Sequence, residues 1–66
     1  MKQSEESAFA LWVMLKIEEL RTTDRELAIA FDMSMPSAQR WREGRCGVHP
    51  AMRTHIINWF NERAAQ

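Results

Sequence analysis

The chain has 66 residues, with nine lysine and arginine residues balanced by nine aspartate and glutamate residues, one cysteine, two glycines and two prolines. A chain of this length forms at most one domain with a small core, and a single cysteine excludes a scaffold of intramolecular disulfides. The low glycine and proline content excludes collagen-like and low-complexity classes. At this size we expect no catalytic cleft and therefore no enzyme.

No targeting or membrane-spanning segment is predicted. The longest apolar run covers residues 8–15, whereas a membrane-spanning helix needs about 20 residues. Glu5 and Glu6 precede this run, where a signal peptide would carry basic residues. We therefore expect a cytoplasmic protein that does not associate with a membrane.

The first two predicted elements are helices separated by a pair of threonines. The first helix begins near Ser4, a candidate N-cap, and runs to about residue 20, with acidic residues 5 and 6 near the positive end of its dipole. Its apolar residues predict a core face formed by Phe9, Val13, Ile17 and Leu20. Residues 23–26 match a capping box, which predicts a short second helix over residues 24–31.

Residues 32–34 separate the second helix from a third. Ser34 is a candidate N-cap and Pro36 is tolerated in a first turn, so the third helix is predicted over about residues 35–43. Gly44 ends this helix in the left-handed conformation. After a loop over residues 45–49, Pro50 suits the first position of a fourth helix that extends to about residue 63. The whole chain, residues 1–66, is thus predicted to be one small all-α, four-helix domain.

Residues 24–43 carry a resemblance to a known family. Two short helices joined by three residues have the dimensions of a helix-turn-helix. The segment 24–41 reads DRELAIAFDMSMPSAQRW and is followed by REG, with a small residue after Leu27 and with core positions at Phe31, Met33, Ala38 and Trp41. It resembles the helix-turn-helix of the lambda-repressor, Cro and Xre family over about residues 22–60. The resemblance implies a lambda-repressor-like fold.

Two positions depart from the family pattern. Asp32 stands at the turn position that the family usually gives to glycine, and aspartate reaches the left-handed conformation less easily than glycine but more easily than a branched residue. Asp24 stands where the family often has a neutral side chain that contacts phosphate. A carboxylate at that position would repel a phosphate group.

One stretch of the chain is basic, because residues 36–56 hold four arginines against one glutamate and carry a net charge of +3. At about 100° per residue, Ala38 and Trp41 face the core and the opposite side of the third helix faces outward. In a major groove, this side offers Arg40 to guanine and Gln39 to adenine, while arginines near its end reach phosphates. The predicted DNA-contacting residues are Met35, Pro36, Ser37, Gln39, Arg40, Arg42, Glu43 and Arg45. The alternative is an ordinary solvated helix face.

Metal binding and catalysis are not expected. The chain holds only three cysteine and histidine residues, Cys46, His49 and His55, whereas a structural zinc site takes four ligands. Cys46 and His49 also lack a third, orienting residue that would make them a nucleophile and its base. We predict no metal site, no cofactor and no catalytic residue.

Surplus apolar residues on the first and fourth helices predict an interaction surface. Trp12 lies among charged residues beside a strip that contains Ala8, so it either covers the edge of the core or contacts a partner. Trp59 shares a stripe with Met52 and Ile56, which most simply predicts packing against the first helix. A domain this small is marginal alone, and two recognition helices roughly double the contacts of one, so we predict a homodimer. The candidate interface residues are Leu11, Trp12, Leu15, Ile57, Trp59 and Phe60. The fourth helix is slightly favoured over the first, because members of the resembled family often dimerise through elements after the motif, although core packing claims Ile56 and Phe60 in either case.

Together these features predict a small prokaryotic or phage-type transcriptional regulator. By family resemblance it is a repressor that binds a double-stranded DNA operator as a dimer through its third helix. The alternative is a non-enzymatic protein–protein module, an inhibitor or adaptor on a helix-turn-helix scaffold, with Trp12 and the apolar strip as its contact. A neutral net charge and Asp24 favour the module, whereas the arginines at positions 40, 42 and 45 favour DNA.

Overall fold

A computed structural model describes the backbone of residues 4–66 and the side chains of residues 8–66. Within this part of the chain there are four α-helices and no strand, which confirms the predicted all-α class. The helices are α1 (Ser4–Glu19), α2 (Asp24–Phe31), α3 (Met35–Arg42) and α4 (Arg53–Ala65), with a 3-10 turn at Pro50–Met52. The radius of gyration is 11.2 Å, close to the value of about 10.8 Å that a compact chain of this length has. No helix in residues 4–66 has both the length and the apolar composition to cross a membrane.

Helices α1, α2 and α3 begin where the sequence predicts. The capping box of α2 is confirmed, because the Thr23 hydroxyl accepts the Glu26 N–H at 3.1 Å and the Glu26 carboxylate accepts the Thr23 N–H at 2.9 Å. Ser34 caps α3 by accepting the Ser37 N–H at 3.3 Å. The backbone of α1 begins at Ser4, while the predicted cap and the acidic side chains at positions 5 and 6 lie outside the described side chains.

Each of the first three helices ends at a residue in the left-handed conformation. These residues are Arg21 (φ 54°), Asp32 (φ 52°) and Gly44 (φ 83°). After α1, the Thr22 N–H donates to the Ile17 carbonyl at 2.9 Å, and equivalent bonds of 2.8 and 3.0 Å follow α3 and α2. This six-residue closure satisfies carbonyl groups that a helix end leaves unpaired. The predicted roles of Gly44 and Asp32 are confirmed, whereas the left-handed Arg21 was not foreseen.

The predicted start of the fourth helix is wrong by three residues. Pro50 opens a 3-10 turn, and α-helical geometry begins only at Arg53. His49 precedes this turn: its Nδ1 atom accepts the Ala51 N–H at 3.0 Å, and its carbonyl accepts the Met52 N–H at 2.8 Å, which is the three-residue spacing of a 3-10 turn. Met52 is 42% exposed and does not belong to the buried face on which the sequence pattern placed it.

The core collects residues from all four helices. Its largest fully buried side chains are Val13 and Ile17 of α1, Leu27 of α2, and Ile56 and Phe60 of α4. Ala38 and Trp41 add α3 to this cluster. The predicted core face of α1 is therefore confirmed at its two central positions, and the predicted core residues of α3 are confirmed as well.

Aromatic rings join α4 to the rest of the molecule. The ring of Phe31 at the end of α2 lies 5.2 Å from Trp41, 5.2 Å from Trp59 and 5.5 Å from His55. Trp59 therefore packs against α2, a partner that the sequence did not predict, and a second aromatic residue of α4 contacts α1. Phe60 makes that contact, with its ring edge-on to Trp12 of α1 at 5.8 Å.

Candidate functional site

The outward side of α3 is exposed because its other side is used by the core. Ala38 is fully buried and Trp41 is 7% exposed, and α3 packs against both α2 and α1. The remaining side chains of α3 and its cap face solvent: Met35, Pro36, Gln39, Arg40, Arg42 and Glu43. Ser37 is half-buried, and its Oγ accepts a hydrogen bond from the Ser34 hydroxyl at 3.0 Å. The helix is thus oriented as the sequence predicts.

Arg42 is held by an acidic residue of α2. Its Nε donates to Oδ1 of Asp24 and its Nη2 donates to Oδ2, both at 2.9 Å. Side-chain exposure is 49% for Arg42 and 21% for Asp24. The hydrogen bonds and the charge of Asp24 stabilise the guanidinium ion and raise the pKa of Arg42. The pair could not be predicted from helical spacing, because Asp24 and Arg42 lie on different helices.

Arg40 of α3 and Arg45 of the following loop lie around the same surface depression. Arg45 pairs with Glu43 at 2.6 Å, with side chains that are 66% and 49% exposed. Arg40 makes no ion pair with any residue in the described part of the chain. Both arginines line an open cavity of about 210 Å³, together with Ser37, Trp41 and Gly47. Two guanidinium groups therefore lie around one depression beside α3, and that of Arg45 is paired with Glu43.

The fourth arginine of the basic stretch does not join this surface. Arg53 is half-buried, and its guanidinium group lies 5.5 Å from the centre of the Phe9 ring on α1. Arg42 is neutralised by Asp24, so the net charge of +3 counted over residues 36–56 is not presented by α3 alone. Glu43 pairs with Arg45 in the same way, so among residues 40–45 Arg40 is the arginine without an ion-pair partner in the described part of the chain.

The cysteine and the histidines have separate roles. Cys46 is 4% exposed, and burial raises the pKa of its thiol to about 11, so the thiol stays protonated at neutral pH. His49 caps the 3-10 turn, and His55 lies edge-on to Phe31. Among the residues the structure describes, no three histidine, cysteine, aspartate or glutamate side chains are grouped to hold a metal ion.

The predicted interface residues divide into exposed and buried sets. Leu11 and Leu15 of α1 are 50% and 52% exposed, whereas Phe60 is fully buried. Phe60 is therefore a core residue, and its inclusion in an interface was wrong. Trp12 is half-buried at the edge of the core, stacked on Phe9 at 6.1 Å, and the remaining candidates on α4, residues 57 and 59, are also half-buried.

One exposed apolar residue was missed by the sequence analysis. Ile29 of α2 is 72% exposed, the highest value among the large apolar side chains described. Ile29 does not share the helix face of Leu27 and Phe31, and only this spacing could have predicted from the sequence that it is exposed.

Comparison of the chain with models of protein families, with curated proteins and with solved structures finds no match. A function for the chain therefore has to follow from the packing of α2 and α3 and from the side chains that α3 exposes.

Proposed function

We propose that α2 and α3 form a helix-turn-helix like that of the lambda-repressor, Cro and Xre family, and that the chain is a non-enzymatic DNA-binding transcriptional regulator of the repressor type. The supporting observation is the arrangement of two eight-residue helices joined by residues 32–34. They pack through Leu27, Ala38 and Trp41 and leave the long polar side of α3 free. An α-helix with its side chains is about 10–12 Å in diameter, which suits a major groove about 12 Å wide.

Arg40 and Gln39 are the proposed base-reading residues. Both are exposed near the middle of the free side of α3. Arginine donates two parallel hydrogen bonds to guanine, and glutamine can pair with adenine in the same way. No carboxylate among the described residues pairs with Arg40, so its guanidinium is free to contact a base. Arg45 pairs with Glu43, whose side chain is 49% exposed. We assign Arg40 to a base and Arg45 to a phosphate.

We further propose that two copies bind one operator and meet through α1. Leu11 and Leu15 are one helical turn apart and half exposed, so they form a continuous apolar strip with Ala8. With Phe60 committed to the core, this strip is better placed than α4 to bury apolar surface between copies. A dimer of this kind presents two α3 helices to successive major grooves, about 34 Å apart.

The DNA proposal is tested by selecting bound sequences from random duplexes and then measuring affinities of variants. Arg40→Ala should cost about 1–3 kcal/mol on the selected site and relax preference at one base pair. Arg45→Ala should weaken binding to every duplex and reduce the salt slope by about one unit. Lys16→Ala on α1 removes one positive charge away from α3 and serves as the control. Equal losses from Arg40→Ala on selected and random duplexes would refute base reading.

The dimer is tested by sedimentation equilibrium without DNA. Leu15→Glu should convert the dimer to a monomer, because a buried unpaired carboxylate is strongly unfavourable. Ile29→Glu is the matched control, since Ile29 is equally apolar and more exposed but lies on α2. A wild-type monomer at micromolar concentration, or an equal effect of both variants, contradicts the α1 contact.

A protein–protein module is the second candidate, and the same α1 strip favours it. Exposed leucines one turn apart are an unusual feature for a surface that only meets water. If the chain binds no DNA duplex at about 50 mM salt, where phosphate contacts are strong, the result favours the protein–protein module over the DNA-binding regulator.

A further inference from the structure

The first residue of α2 and the last residue of α3 are joined by two parallel hydrogen bonds. Asp24 accepts from both Nε and Nη2 of Arg42 at 2.9 Å. Arginine uses the same forked geometry with a phosphate group. The Nε and Nη2 donors that hold the carboxylate are not free for a phosphate, so a second forked contact through this edge of the guanidinium requires Arg42 to leave Asp24.

We propose that Asp24 competes with DNA phosphates for Arg42 and thereby weakens the binding of this chain to all DNA sequences. The inference rests on the proposed DNA-binding function. In the free protein Arg42 is neutralised by Asp24, so the surface makes one phosphate contact fewer than its arginines would allow. Removing the carboxylate, and nothing else, should release that contact.

The pair differs from the other exposed ion pair near α3. Glu43 and Arg45 share a single contact, lie two residues apart, and have side chains that are 49% and 66% exposed. Such a pair opens easily in water. Asp24 is only 21% exposed, makes two contacts, and lies at the start of α2, where the helix dipole favours a negative charge. Asp24 is therefore the better competitor for a guanidinium group.

Arg42 also has space to leave Asp24. It lines an open cavity of about 490 Å³ between the end of α1 and the end of α3. Arg21 lines the same cavity and makes no ion pair within the described residues. Glu18 lines this cavity as well, so a phosphate that draws Arg42 away from Asp24 would meet a second arginine beside a carboxylate.

The test measures the affinity for a labelled random-sequence duplex as a function of salt, by fluorescence anisotropy. Four proteins are compared: wild type, Asp24→Asn, the double variant Asp24→Asn with Arg42→Gln, and Glu62→Gln. Glu62 is exposed on α4 and has no ion pair among the described residues, so Glu62→Gln changes the net charge by the same amount elsewhere. Asparagine keeps the shape of Asp24 and is tolerated at a helix start.

We expect the salt slope of Asp24→Asn to steepen by about 0.9 and its affinity to rise about eightfold at about 0.1 M salt, the effect of one added phosphate contact. The double variant should return to the wild-type slope and affinity, because the gain depends on Arg42. Glu62→Gln should leave the slope unchanged. Circular dichroism verifies folding, and Asp24→Ser replaces Asp24→Asn if the latter unfolds.

Three results overturn the inference. If the gain survives in the double variant, Asp24 acts by repulsion alone and does not hold Arg42. If Asp24→Asn binds like wild type while Arg40→Ala still loses affinity on its selected site, the inference is wrong and the proposed function stands. If neither wild type nor Asp24→Asn binds any duplex at low salt, the proposed function and the inference are both wrong.

Discussion

The end of α1 has a backbone conformation that suits glycine, although the residue there is Arg21 at φ 54°. An L-residue in this conformation costs about 1–2 kcal/mol, because its Cβ approaches the following carbonyl oxygen. Glycine removes that strain but adds about 0.4–1 kcal/mol of entropy to the unfolded state. Arg21→Gly should therefore stabilise the fold by about 0.5–1 kcal/mol, which corresponds to a rise of about 2–8 °C in Tm for a domain of this size.

The assay is thermal unfolding followed by circular dichroism, with two comparison variants. Arg21→Ala loses the same side chain but keeps the Cβ, so its Tm should not rise. Gly44→Ala makes the reverse change after α3 and should lower Tm, because φ is 83° and a new Cβ would lie 3.2 Å from Sδ of Met14. An equal Tm for Arg21→Gly and Arg21→Ala, or a lower Tm for Arg21→Gly, would refute the strain argument.

Three further predictions concern pH, the thiol and the core. Hydrogen bonds from the N–H of Thr23 and then from the guanidinium of Arg63 lower the pKa of Glu26, so the stability that this carboxylate contributes is present above its unfolded-state pKa and is lost as the pH falls through its folded-state pKa. When the urea midpoint of unfolding is measured against pH, Glu26→Gln should therefore flatten the acid side of the curve, and an unchanged curve contradicts this. Burial raises the pKa of Cys46 to about 11, so alkylation with iodoacetamide at about pH 8 should be much slower in the folded chain than in urea. Leu27→Ala empties a fully buried position at a cost of about 2–5 kcal/mol, comparable to the whole stability of a small domain, and a cooperative melt within a few degrees of wild type would exclude that role.

The helix boundaries of the first half were predictable because their signals are local. The hydroxyl of Thr23 and the carboxylate of Glu26 act within one turn, and Ser34 and Gly44 act on groups three or four residues away. A pattern of this length can be recognised in the sequence without knowledge of the tertiary structure. It was sufficient to place α1, α2 and α3 within about a residue.

Contacts between helices were not predictable in the same way. The Asp24–Arg42 pair depends on how α2 crosses α3, and the contact of Trp59 with Phe31 depends on where α4 lies. Helical periodicity identifies the face that is buried but not the element that covers it. The start of α4 was placed wrongly because a proline suits the first turn of a 3-10 helix and of an α-helix alike.

The three ring contacts of Phe31 have a consequence for any attempt to transplant α2 and α3 into another protein. Two of the rings, His55 and Trp59, come from α4, so the segment from Asp24 to Glu43 carries only part of the packing that holds its own helices together. A grafted copy would expose Phe31 and lose its fixed angle between α2 and α3. A transplant that keeps this packing therefore has to include α4 together with α2 and α3.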